Sequence, residues 1–66
     1  MSAEVLRHAA ALMREGADPR WHAVADWLDL MAEDYAPCWH EPYAAPFVPV
    51  IEKAYRIARA YLGESA

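Results

Sequence analysis

Asp18-Pro19-Arg20-Trp21-His22-Ala23-Val24-Ala25-Asp26-Trp27-Leu28-Asp29-Leu30-Met31-Ala32-Glu33-Asp34-Tyr35, followed at once by Ala36-Pro37, decides the fold. An aspartate that can accept from orphan amides, with a proline directly after it, is a strong helix start: proline has no N–H to lose there. Trp21, Val24, Ala25, Leu28, Met31, Ala32 and Tyr35 then recur at helical spacing on one stripe. His22, Asp26, Asp29 and Glu33 fall on the opposite side, while Trp27 and Leu30 widen the apolar stripe. Pro37 disfavours helical geometry at Ala36, so the spacing predicts a helix over 18–35.

Working outward, Ser2 and Glu4 suit the start of an earlier helix over 2–15. Val5, Ala9 and Leu12 run along it beside Leu6, Ala10 and Met13, a wide and shallow apolar face suited to close packing. Gly16 is expected to end it in the left-handed conformation. On the other side, a third helix over 47–62 carries Val50, Ala54, Ile57, Ala58 and Tyr61 as its expected inner stripe, with Ile51, Tyr55 and Leu62 beside it and Gly63 as terminator. Glu52 and Arg56 stand four apart, as a favourable surface pair would. Between the second and third helices, residues 36–46 read Ala-Pro-Cys-Trp-His-Glu-Pro-Tyr-Ala-Ala-Pro. Three prolines stiffen this connector, and Trp39 and Tyr43 are too large to leave wholly in water. An ordered loop folded over the helices is expected, with room for a short helical turn at 39–45. The fold class is therefore all-α: one domain, 1–66, a compact three-helix bundle with a long proline- and aromatic-rich loop between helices 2 and 3.

Composition limits what such a domain can be. Of 66 residues, 58% are apolar, but 15 of those are alanine, so only 23 larger apolar side chains remain to build a core. A chain this short rarely draws more than about 3–5 kcal/mol from one core, so close helix packing, a partner or a staple is expected. Cys38 is the single cysteine and cannot be a staple within the chain. No basic leader and no apolar run of the roughly 18 residues that a span needs is present, so a soluble, cytoplasmic protein without a membrane role is expected. Six basic against ten acidic residues give −4, the wrong sign for a nucleic-acid binder. The second helix offers Asp26, Asp29, Glu33 and Asp34 where a recognition helix would present Arg, Lys, Asn or Gln.

Two constellations invite chemistry. Cys38-Trp39-His40-Glu41, with His22, supplies ligand types that zinc prefers. Its spacing is poor for a metal, and no second cysteine stands near, so no metal or cofactor is expected and Cys38, His40 and His22 form only a secondary alternative. No orienting group for a Cys–His pair is evident either, and an enzyme is not expected. Lys53, Arg56 and Arg59 make a basic row on the third helix, read as a solvated face that complements the helix C-terminus or pairs with the acids of helix two. The eight aromatics say more. Trp21, Tyr35, Phe47 and Tyr61 are placed to lie inside, which leaves Trp27, Trp39, Tyr43 and Tyr55 as candidate partner-binding residues.

The words His22-Ala23-Val24-Ala25-Asp26-Trp27-Leu28-Asp29 and Ile57-Ala58-Arg59-Ala60-Tyr61-Leu62-Gly63-Glu64 resemble small uncharacterised proteins of actinobacteria and their bacteriophages. Those proteins similarly open on an alanine-rich helix like Val5–Arg14, and they have a more polar connector where this chain has residues 36–47. The resemblance carries no activity and no site residues. It implies a setting, that of a phage-type accessory protein acting in the host cytoplasm. The function expected is binding or modulation of a host or phage protein, and the alternative is a homo-oligomeric module without a separate ligand.

Overall fold

A computed structural model describes residues 3–63. Those residues are 87% helical and include no strand. Three α-helices, α1 (Ala3–Glu15), α2 (Pro19–Leu30) and α3 (Val48–Tyr61), supply most of it. The radius of gyration, 11.7 Å, is close to the roughly 11 Å of a folded chain this long. The expected cap at Ser2 lies outside the described residues.

Asp18 starts α2 as its chemistry requires. Its backbone is extended, its carboxylate accepts from the Arg20 amide at 2.9 Å, and Pro19 occupies the first turn. The same carboxylate holds the Arg20 guanidinium at 2.8 Å, and this bond, followed by the amide, keeps the Asp18 pKa below its ordinary value. Gly16, by contrast, does not take the left-handed conformation; among the described glycines only Gly63 does, at φ 78°. The turn between α1 and α2 closes instead through the His22 ring, whose Nε2 meets the Gly16 carbonyl.

The end of α2 departs from the sequence reading. Regular α-helix stops at Leu30, and Met31–Tyr35 form a wider π turn in which the Ala36 amide donates to the Met31 carbonyl. Ala36 itself is helical (φ −59°, ψ −37°) despite preceding a proline. The reason is local. In an α-helix the Pro37 ring would run into the carbonyl four residues back. The extra residue in the π turn re-aims that carbonyl, and the distortion settles on Tyr35 at φ −115°. The helix therefore continues as a 3-10 turn over Ala36–Cys38, where the Cys38 thiol lies 3.5–3.6 Å from the carbonyls of Tyr35 and Asp34.

No long irregular loop follows. Glu41 donates to the Cys38 carbonyl at 3.0 Å, Ala44 donates to that of Glu41 at 2.9 Å, and Pro42–Phe47 form a second 3-10 segment leading into α3. Pro42 and Pro49 each open a helical segment, where a missing N–H costs nothing. Ala44 is buried while Tyr43 points outward, so the connector packs through its smallest side chain.

The core is built largely of alanine. Leu6, Met13, Leu28 and Ile51 are its large, fully buried side chains, and Ala9, Ala10, Ala25, Ala32, Ala54 and Ala58 are equally sealed. α1 lies against both α2 and α3, and α3 meets the π turn. Small side chains let helix axes approach closely, and this shifts which residues face inward. On α3 the inner face is Ile51, Ala54 and Ala58 with Tyr55 and Leu62 half-buried, whereas Val50, Ile57 and Tyr61 of the expected inner stripe are exposed. On α1, Leu12 is likewise exposed and Val5 only half-buried. Trp21, Phe47 and Tyr61, expected inside, are outside, and Tyr35 is half-buried.

Candidate protein-binding surface

The four candidate residues divide in two. Trp27 and Tyr55 are half-buried and pack against the alanine core. Tyr43 is 68% exposed and Trp39 39% exposed, both on the connector after α2. The two 3-10 turns position them: Trp39 follows the turn that ends at Cys38, and Tyr43 follows Pro42 at the opening of the next. The Cys38 side chain, through a hydrogen bond and then its charge, holds the Tyr43 phenol above its ordinary range. The Trp39 ring stands edge-on to His40 at 6.2 Å, and His40 Nε2 lies 3.3 Å from the Glu41 carboxylate. The result is a compact knot of aromatic and polar groups on a stiff base.

The residues of the metal alternative go different ways. His22 sits in the first turns of α2 against Gly16, Cys38 turns back to carbonyls of its own helix, and His40 faces Glu41. Sixteen residues of helical chain separate His22 from Cys38, a distance of roughly 20 Å or more at 1.5 Å per residue. No group of three or more His, Cys, Asp or Glu side chains among the described residues could hold a metal ion. No helix among them is long and apolar enough to cross a membrane.

The charged rows also pair differently from the reading. Arg14 of α1 reaches across to Asp26 at 2.7 Å and Asp29 at 2.6 Å, so the acids of α2 are met by the first helix and not by the basic row of the third. Those two carboxylates raise the Arg14 pKa, Asp26 contributing most. Among the described residues, Glu52 and Arg56 form no ion pair.

A second apolar surface was not legible as such. The Trp21 and Tyr61 rings touch at 4.9 Å across α2 and α3, and Tyr35 and Phe47 at 5.7 Å. Val50 and Ile57 share the α3 row of Tyr61 and stand exposed along it. Beside Trp21 a shallow open depression of about 310 Å³ is lined by Arg20, Trp21 and Val24. The signal that could have revealed this surface is the position of Ala54 and Ala58. A helix seated on its smallest side chains tips the adjacent large ones toward solvent.

Compared with models of protein families, with curated proteins and with solved structures, the chain has no match.

Proposed function

We propose that the protein works by protein–protein contact, as a three-helix bundle whose aromatic connector engages a partner, in the setting of a phage-type accessory factor in the host cytoplasm. The observation that supports this is the exposure of Trp21, Trp39, Tyr43, Phe47 and Tyr61, five of eight aromatics, on a chain whose core is mostly alanine. Scattered apolar side chains are ordinary on a surface, but Trp and Tyr are the types that supply binding energy when a partner seals them. Trp39 and Tyr43 are the anchors in this reading because the stiff turns beneath them leave little to order on binding. Trp27 and Tyr55 pack against the core and are less accessible to a partner.

The test is Trp39→Ala combined with Tyr43→Ala. Both side chains are exposed, so helicity by circular dichroism should persist while capture of the partner by the intact chain is lost. Unfolding of the variant, or unchanged capture, would remove the anchor. The alternative of a homo-oligomeric module has its own support, because an alanine core stabilises a lone chain weakly. Light scattering across a dilution series separates the two, since a strict monomer rules out the module.

A further inference from the structure

We infer that the exposed row of α3, Val50, Ile57 and Tyr61 with Trp21 at its end, is a docking groove for an acidic amphipathic helix of a partner protein. The apolar side chains fall on one line of the helix: Val50 and Ile57 are seven apart and Ile57 and Tyr61 four apart, the spacing by which one helix seats along another, and the Trp21 ring meets Tyr61 from α2. The depression at Arg20, Trp21 and Val24 offers a hole for one large anchor side chain.

Charge selects the occupant. Lys53 lies three residues after Val50 and four before Ile57 and borders the apolar row on the side away from Ala54 and Ala58, and Arg56 stands farther round the helix on that same side. Both are exposed, and the ion pairs among the described residues use other charges. On that side α3 carries Lys53 and Arg56 against one acid, Glu52, in a chain whose net charge is −4, while Arg59 lies on the other side over the Tyr55 ring. The groove is thus locally basic on a globally acidic protein. A second copy packed row against row about a two-fold axis would bring the same two cations toward each other, whereas a helix with Glu or Asp flanking its apolar row satisfies them.

The inference rests on the proposed function in that the partner is a protein and that Trp21 and Tyr61 are exposed, but it makes no use of Trp39 and Tyr43. Two synthetic helical peptides test it, with identical leucines at heptad positions a and d and either Glu or Lys throughout e and g. Like charges at e and g keep each peptide from pairing with itself. The −4 net charge alone favours the Lys peptide. The groove predicts the reverse: the Glu peptide binds the intact chain at least tenfold more tightly, and the gap narrows as salt is raised. Lys53→Glu with Arg56→Glu should invert the preference, and Ile57→Ser should weaken both peptides. Equal binding, a preference for the Lys peptide, no binding of either, or a preference that survives the charge reversal would each overturn the inference. So would a concentration-dependent dimer that Ile57→Ser abolishes, which would give the row to a second copy. Trp39 and Tyr43 are untouched throughout, so failure here and failure of the connector as an anchor are separate results.

Discussion

Ala58→Leu tests the central physical claim about this fold, that its helices are held close by alanine. Ala58 is fully buried, as are Ala9, Ala10, Ala25 and Ala54 in the same core. A leucine there adds three carbon atoms where no space exists, and either α3 moves away from α1 or the side chain takes a strained rotamer. Such overpacking costs typically about 1–3 kcal/mol. A chain of this length has only about 3–10 kcal/mol in total at the usual stability per residue. The loss is therefore a large fraction of everything available, and each kcal/mol lowers Tm by about 4–8 °C in a domain this small. The control is Ala60→Leu, two residues on and exposed. Leucine and alanine are both good helix formers, so this change should stay within about 0.5 kcal/mol of the parent. Urea unfolding followed by far-ultraviolet circular dichroism measures both. If Ala58→Leu is as stable as Ala60→Leu, the helices have slack between them and the alanines do not set their approach.

Other consequences can be checked on the same chain. Leu28→Ala empties a fully buried site and should cost about 2–5 kcal/mol, a larger loss than Ala58→Leu on average, as the fall in Tm in its thermal melt would show. The two described glycines should respond with opposite signs. Gly63→Ala forces a left-handed backbone on alanine and should cost about 1–2 kcal/mol. Gly16→Ala meets only an ordinary contact with the Met13 carbonyl and should gain about 0.4–1 kcal/mol in a urea titration. Because the folded-state pKa of Asp18 lies below the ordinary 3.8, the stability it contributes is present above that value and drains away as pH falls through the lower one. Asp18→Asn keeps the cap and should flatten that acid limb in a series of melts against pH. A double-mutant cycle on Trp21 and Tyr61, each changed to Ala, should return a coupling of about 0.5–1.5 kcal/mol, the usual worth of a ring pair.

The helices were legible because their signals are local. Asp18-Pro19 announces one start and Gly63 one stop, and both work through backbone groups within a turn of themselves. The facing of the helices was less legible, and α3 shows why. Val50 and Ile57 are larger and more apolar than Ala54 and Ala58, so periodicity alone points the larger pair inward. Packing reverses this, since a neighbouring helix approaches closest where side chains are smallest. The same exchange misplaced the aromatics, because rings expected to fill a core had no volume to enter once alanine had closed it. Pro37 was read as a terminator, a sound local rule that a π turn evades by re-aiming one carbonyl. Of the candidate surface, Trp39 and Tyr43 were visible as large rings in a stiff connector. Lys53 and Arg56 were visible as part of a basic row, but the exposure of Val50 and Ile57 on the same helix was not, because periodicity turned those two inward.

Among the described residues, every buried side chain is apolar. A core of that kind has no hydrogen bond that is broken when one helix slides or turns against another, so inside it only the fit of large and small side chains favours the native alignment over a near neighbour of similar volume. Directional contacts that add to that fit sit at the rim of the described residues: Arg14 gripping Asp26 and Asp29, His22 on Gly16, and the ring pairs Trp21–Tyr61 and Tyr35–Phe47. This protein thus keeps the directional part of its alignment code on the outside. The same residues that a partner or a change of salt and pH can reach are ones that help decide which arrangement of the helices is read as native.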